Sequence, residues 1–365
     1  MRNVEIALAD RAYTVQVGHG VLSQLGESCR RVELGNQVAV IADRAVADLY
    51  LKPAVTSLKG AGFRPLEVLI PGGDADKNLT TAEQVFGQLI EAELDRSAWV
   101  LALGGGVVGD LAGFVAATFL RGVPFVQVPT TIVSQVDASV GGKTAVNHRL
   151  GKNLIGAFHQ PRLVLIDTDV LRSLPRRELV GGLGEVVKHA VIRDPELFAF
   201  LEEHLEQIIS LRLDPDQLDW LIARNVQIKA RVVETDERET GLRAILNYGH
   251  TVGHAIEAAG AYTRYHHGEG VVLGMVAAGE IAVRRNLWSE EDRDRQDALL
   301  SRMDVPGGLK ELSTQEILER TRSDKKRVSG RLRFVLPRSI GQVEIFDDIP
   351  EETVVAAIQY VQENS

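Results

Sequence analysis

Two histidines four residues apart, His250 and His254, lie in Ile245-Leu246-Asn247-Tyr248-Gly249-His250-Thr251-Val252-Gly253-His254-Ala255-Ile256-Glu257. That spacing puts both imidazoles on one face of a helix, one turn apart. A second pair, His266-His267, sits in the glycine-bounded segment Tyr265-His266-His267-Gly268-Glu269-Gly270. Upstream, Gly184-Glu185-Val186-Val187-Lys188-His189 offers a carboxylate at the start of an apolar helix. Neutral imidazole nitrogens and a carboxylate are the donors of an open zinc-type site, with three protein ligands and one free position. A lone histidine on a helix is more often simply packed there. Five of the nine histidines cluster at these positions or beside Glu185, which points to a metal. By spacing, His250 and His254 are the favoured ligand pair, joined by Glu185 or His189.

A second chemistry is written in Trp99-Val100-Leu101-Ala102-Leu103, which runs into Gly104-Gly105-Gly106-Val107-Val108-Gly109-Asp110. A buried strand, a glycine loop and a helix follow one another. Glycines 104, 106 and 109 fit G-x-G-x-x-G, which permits a tight turn and close backbone approach to a pyrophosphate at a helix N-terminus. The pattern is weak alone and gains weight from its strand–loop–helix context. The acid usually found about 20 residues downstream is missing, so Asp43, ending an earlier strand, is the better candidate for ribose hydroxyls. A third signal is Gly142-Lys143 and Gly151-Lys152, two Gly-Lys pairs among small residues, suited to holding ammonium groups over an anion.

The elements that must carry these groups fall into two halves. Residues 1–20 alternate as in an edge hairpin. Val38–Asp43, Pro65–Ile70, Trp99–Leu103, Phe125–Pro129 and Leu163–Asp167 are apolar runs of parallel strands buried on both faces. Helices are expected over 22–31, 44–61, 80–93 with a capping box at Thr80-Thr81-Ala82-Glu83, and 111–120. From about residue 171 the period becomes helical, at 178–192, 195–210, 214–234, 245–259 and 268–287. The segment Gly268–Ala282 is small and apolar all round, so that helix should be buried. A hairpin over 331–336 and 342–346 and a last helix over 351–362, opened by Pro350, close the chain. The reading is an α/β domain over 1–170, a mostly helical domain over 171–365, and a site in the cleft between them.

Composition bounds the rest. The 365 residues suffice for two domains, and 45% apolar content marks a globular chain. No run reaches the roughly 18 apolar residues of a membrane span. The opening Met1-Arg2-Asn3-Val4-Glu5-Ile6 lacks a signal-peptide core, and the one cysteine, Cys29, suits a reducing compartment, so a cytoplasmic location is expected. A net charge of −9 argues against nucleic acid as the main partner, without excluding an anionic small molecule.

In order, Gly104–Asp110, Val128-Pro129-Thr130-Thr131, Asp137, Gly141-Gly142-Lys143-Thr144, Gly151-Lys152-Asn153, Glu185-Val186-Val187-Lys188 and Asn247-Tyr248-Gly249-His250…His254 resemble the 3-dehydroquinate synthase family of the shikimate pathway. The likeness runs from about Asp43 to Asp324-Lys325-Lys326 and the closing hairpin. It implies α/β plus α architecture, with a Rossmann-like N-terminal domain and a helical metal-binding domain. It implies NAD, a divalent metal (zinc or cobalt) and a homodimer.

By the same resemblance the metal ligands are Glu185, His250 and His267, which moves His254 to the substrate's phosphate and drops His189. Asp43, Asp74, Lys77, Asp110, Thr130 and Thr131 would surround NAD, with the loop Gly104, Gly105, Gly106, Val107 and Gly109; Lys143 and Lys152 would border it. Asp137, Lys143, Lys229, Arg243 and Asn247 would hold the substrate's carboxylate and hydroxyls. Lys152, Asn153, Lys188, His254 and Lys325 or Lys326 would meet the phosphate, with Arg121 reaching in from a partner subunit. The implied reaction turns 3-deoxy-D-arabino-heptulosonate 7-phosphate into 3-dehydroquinate and phosphate. It runs through transient oxidation by NAD, elimination, reduction and an intramolecular aldol. Metal-dependent alcohol and glycerol dehydrogenases share the plan but need no phosphate-binding lysines. Cyclitol-forming sugar-phosphate cyclases are nearer rivals, disfavoured by Lys229, Arg243 and Asn247. A non-catalytic NAD- or metal-binding regulator would not need the whole ligand and lysine set.

Overall fold

The apolar runs become strands. β1 (Arg2–Ile6), β2 (Tyr13–Gly18), β3 (Gln37–Asp43), β4 (Arg64–Ile70), β5 (Trp99–Gly104) and β6 (Phe125–Pro129) precede a separate hairpin, β7 (Lys143–His148) and β8 (Gly151–Phe158), and then β9 (Leu163–Asp167). These coordinates are a computed structural model and describe residues 1–325 and 333–364. Seven strands form one sheet in the order β1-β2-β9-β6-β5-β3-β4, parallel except for the β1–β2 edge hairpin. β5, β6 and β9 are buried along their whole length, as runs covered on both faces must be. One face packs Leu25, Leu58, Trp99 and Leu101; the other packs Val85, Leu111, Val115 and Phe125. The chain leaves β3 for β4 on one side and returns to β5 on the other. The strand order therefore reverses between β3 and β5, and such a switch point is where doubly wound sheets bind ligands.

Several local expectations change. The helix after β5 starts at Gly106, not at 111, and runs to Thr118. Its glycines are compatible with helix because they are close contacts: a Cβ at Gly109 would stand 2.8 Å from Gln127 Oε1, and one at Gly113 would stand 2.4 Å from Thr144 Cγ2. The capping box at Thr80 is not formed; Asn78 caps the helix Leu79–Glu91, its side chain accepting from Thr81 N. The expected helix 44–61 is interrupted by a π turn at Ala47–Leu51 ahead of Pro53, which has no N–H to continue the ladder. The β7–β8 hairpin was not legible, since β8 leaves most of its side chains outside the core.

Compact packing divides the chain into Met1–Leu174 with Asp214–Arg238, and Pro175–Leu213 with Glu239–Ser365. This is not the expected single cut at residue 170, because the helix Pro215–Thr235 belongs with the sheet. Its Asp219 accepts from Thr168 Oγ1 at 2.6 Å, and its Glu234 accepts from Ala7 N at 2.7 Å.

The second unit holds the helices Arg176–Arg193, Pro195–Ile209, His250–Ala259, His267–Arg284, Glu290–Ser301, Thr314–Lys325 and Glu351–Asn364, with a hairpin of β10 (Phe334–Ser339) and β11 (Gln342–Phe346). Residues 331 and 332 of the expected hairpin lie outside the described residues. The expected helix 245–259 is broken. A 3-10 turn, Leu242–Asn247, precedes Gly249 at φ 78°, and the helix starts at His250. A side chain at Gly249 would be strained at that φ and would meet Val271 O at 2.8 Å.

The His267–Arg284 helix is buried nearly all round, as its composition required. Glycine brings it backbone to backbone against two neighbours. A Cβ on Gly268 would lie 1.9 Å from Gly181 O, and one on Gly274 would lie 1.8 Å from Gly249 O. These contacts draw together the helices that begin at Arg176, His250 and His267.

Candidate metal centre and dinucleotide loop

Each of those three helices contributes one donor to a common point. Glu185 is fully buried, with His250 Nε2 3.6 Å and His267 Nε2 3.4 Å from its Oε1. Donors about 2.05 Å from a tetrahedral zinc stand roughly 3.3 Å apart, so these separations suit ligands of one cation. The outer nitrogens fix the tautomers. His250 Nδ1 donates to Tyr248 O at 3.0 Å, and His267 Nδ1 lies 3.1 Å from Glu257 Oε1, which leaves both Nε2 lone pairs aimed inward. His266 turns away to Glu178, 2.9 Å off, so the structure separates the neighbours and brings His267 to the centre. Bidentate Arg177–Glu269 bonds of 2.6 and 2.8 Å, and Glu269 accepting from His266 N, pin the start of that helix.

The electrostatics agree. Burial would push the Glu185 carboxyl up, but the Lys188 ammonium, His250 and His267 outweigh it and hold the carboxyl well below its usual range. Burial lowers the His250 imidazole to about 3, keeping it neutral and able to bind a metal. Burial would lower His267 too; hydrogen bonds to Glu185 and Glu257 instead raise it to about 10. That proton occupies the place a cation can take. The ring nitrogens of His254, His250 and His267 lie within 4.8 Å of one another, so His254 borders the same point. Lys188, expected at a phosphate, stands against Glu185, and both are buried. His189 is fully buried in the same helix and is not among those three imidazoles.

In the same unit Arg243 is 2% exposed, and Asn247 Nδ2 donates to Glu239 Oε1 at 3.3 Å. Lys325 ends the helix Thr314–Lys325, and Lys326 lies outside the described residues.

In the sheet unit, Asp43 ends β3 and caps the following turn, accepting from Val46 N at 2.9 Å. Gly105 is the N-cap of the helix Gly106–Thr118, which has no side-chain cap. A Cβ at Gly104 would strike Val108 at 2.5 Å, whereas one at Gly106 would make only ordinary contact with Ala138 at 3.5 Å. Packing thus explains glycine at 104 and 109 but not at 106. Val107 and Asp110 lie in the first turns of this helix. Lys77 Nζ bridges Asp110 Oδ2 at 2.8 Å and Asn153 Oδ1 at 2.6 Å, while Lys152 pairs with Asp74 at 2.8 Å. Burial pushes the Asp110 carboxyl up against the pull of Lys77. Burial would also raise Asp74, but Lys152 and Lys77 outweigh it and hold that carboxyl low. Thr130 and Thr131 follow β6, and Thr131 exchanges hydrogen bonds with Ser134. Lys229 pairs with Asp137, and Lys143 begins β7. Arg121 is exposed at φ 71° beside Leu120 at 49°.

Sequence reading missed Glu257, the Tyr248 carbonyl and the Arg177–Glu269 pair. Glu257 had a signal, lying seven residues after His250 on the same helical face. The other two depend on the fold.

Comparison with known proteins supplies the last observation. Residues 67–181 match the model of the 3-dehydroquinate synthase N-terminal domain, and residues 182–327 match that of the C-terminal domain. A 3-dehydroquinate synthase of Desulforamulus reducens is 47% identical over 359 residues, covering 98% of this chain and 99% of that one. A solved 2-epi-5-epi-valiolone synthase of Streptomyces hygroscopicus, with NAD+ and Zn2+ bound, superposes with a TM-score of 0.90 at 28% identity, covering 98% and 99% of the two chains. A 2-deoxy-scyllo-inosose synthase complexed with carbaglucose-6-phosphate, NAD+ and Co2+ gives 0.87 at 28% identity, with the same coverage.

Proposed function

We propose a function from one premise: the chain belongs to the 3-dehydroquinate synthase family. It is an NAD- and metal-dependent lyase that converts 3-deoxy-D-arabino-heptulosonate 7-phosphate to 3-dehydroquinate and phosphate. The observation that carries the reading is the convergence of Glu185, His250 and His267 at tetrahedral donor spacing, each imidazole oriented by an outer acceptor. These three hold the metal. When bound, the metal would supply Lewis acidity toward a substrate hydroxyl, and NAD would supply a reversible hydride acceptor.

The chain's own residues do the rest. Gly104, Gly105 and Gly106 admit the dinucleotide's phosphates to the N-terminus of the helix Gly106–Thr118, where free N–H groups favour anions. Glycine at 106, which packing does not demand, is explained by that approach. Asp43, Asp74, Lys77, Asp110, Thr130 and Thr131 complete the nucleotide's surroundings. Asp137, Lys143, Lys229, Arg243 and Asn247 bind the substrate's carboxylate and hydroxyls, and the Lys229–Asp137 pair orients the ammonium. His254, Lys188, Lys152 and Asn153 hold the phosphate as it leaves. Orientation supplies much of the rate, since the later steps are unimolecular within one clamped substrate.

We infer further that zinc is the metal, because borderline nitrogen and oxygen donors suit it. The chain forms a homodimer in which exposed Arg121 reaches the second copy's substrate phosphate. It works in the cytoplasm, in keeping with its single cysteine, Cys29.

The test is phosphate release from the heptulosonate phosphate with catalytic NAD and zinc or cobalt, watched also at 340 nm. Phosphate should appear without accumulating NADH. Net NADH, or no phosphate, overturns the proposal. Glu185→Gln and His267→Ala should empty the metal site; full metal occupancy in Glu185→Gln would overturn the ligand set in favour of the three imidazoles His250, His254 and His267, and full occupancy in His267→Ala would overturn both sets.

A further inference from the structure

We infer that Glu257 is a positioning residue that sets the tautomer and aim of His267, and that position 270 is glycine so that Glu257 can reach it. The inference rests on His267 being a metal ligand. Glu257 lies in the His250–Ala259 helix, two turns after His250, and its carboxylate is buried. A buried carboxylate is costly unless it is paired or hydrogen-bonded. Here Oε1 meets His267 Nδ1 at 3.1 Å. With the Nδ1 proton committed to Glu257, Nε2 is the ring nitrogen that faces Glu185, 3.4 Å away, and that a cation can take in place of its proton. A carboxylate behind a ligating imidazole also raises its basicity.

Gly270 makes the contact possible. A Cβ there would stand 2.8 Å from Glu257 Cγ and 2.9 Å from Oε1, the atom that meets His267. The Glu257 side chain therefore lies across the bare α-carbon of Gly270. An alanine at 270 would press on the Glu257 side chain first, its methyl also standing 3.1 Å from Gly253 O. Two positions on different helices are thus predicted to act through one hydrogen bond.

The experiment uses the full-length chain stripped of metal and titrated with Co2+ against a chromophoric chelator, recording both Kd and the cobalt absorption bands. Glu257→Ala should weaken Co2+ binding by about 10–100-fold and shift the bands. Glu257→Gln, nearly the same shape, should keep native circular dichroism yet bind at least several-fold more weakly. Gly270→Ala should resemble Glu257→Ala. The double variant E257A/G270A should bind no more weakly than E257A alone, since both changes remove the same contact. A merely structural Glu257 would lower stability and leave the cobalt bands of E257Q unmoved. E257Q and E257A within twofold of wild type, or a double variant whose losses multiply, overturns this inference alone. Wild-type chain that binds no Co2+ overturns the metal-site reading itself, and this inference with it.

Discussion

Replacing Gly268 by alanine tests whether glycine contacts hold the metal centre together. The new methyl would stand 1.9 Å from Gly181 O and 2.4 Å from Gly181 C. Comfortable carbon–oxygen contact begins near roughly 3.3 Å, so the two backbones must separate by about 1.4 Å. Neither is a flexible side chain that could turn aside. Overpacking of this kind costs about 1–3 kcal/mol. The larger consequence is geometric. Gly268 follows His267, and Gly181 lies one turn before Glu185 in its helix. Metal bonds tolerate deviations of only about 0.2 Å, far less than the required shift. Gly268→Ala should therefore lose at least the roughly 10–100-fold in metal affinity that follows from disturbing a ligand's support. Chelator competition with Zn2+ or Co2+ measures this, and thermal unfolding of the metal-free chain measures the packing cost. A variant that binds metal within twofold of wild type and unfolds at the same temperature would refute the reasoning.

Other outcomes follow from the same structure. Lys188→Ala removes a buried ammonium and leaves Glu185 without its cation, so kcat/KM should fall at least about tenfold, given charged hydrogen bonds of about 1.5–3 kcal/mol; unchanged kinetics would remove Lys188 from the site. Asp297 is lifted to about 6, mainly by burial, although Gln296, Tyr360 and Arg293 pull it down. The folded chain thus keeps that proton to higher pH than the unfolded chain, whose carboxyl titrates near about 3.9. Stability should decline as pH rises through roughly 4 to 6, and Asp297→Asn should remove that decline in denaturant melts at pH 4 and pH 8. Gly87, inside the helix Leu79–Glu91, has no atom within 4 Å of a built Cβ, so Gly87→Ala should raise stability by about 0.5–1 kcal/mol in urea unfolding.

What the sequence by itself determined is local and periodic. Continuous apolar runs such as Trp99–Leu103 read as strands covered on both faces, the small, apolar segment after His267 reads as a buried helix, and both form as read. The donor types, the glycine loop and the motifs of the family were all written in order along the chain. Tertiary structure alone decided which donors meet. Residue spacing favoured His250 with His254, whereas Glu185 comes within 3.6 Å of His250 because glycines let three backbones touch. The same packing chose His267 over His266, set Lys188 against Glu185, and gave Glu257 its partner. It also returned the helix Pro215–Thr235 to the sheet unit, through hydrogen bonds that no helical period announces. Periodicity reports which face of an element is buried; it does not report which other face lies opposite. That depends on contacts between residues distant in the chain, and there the carbonyl-to-glycine fits of this fold bring Glu185, His250 and His267 together.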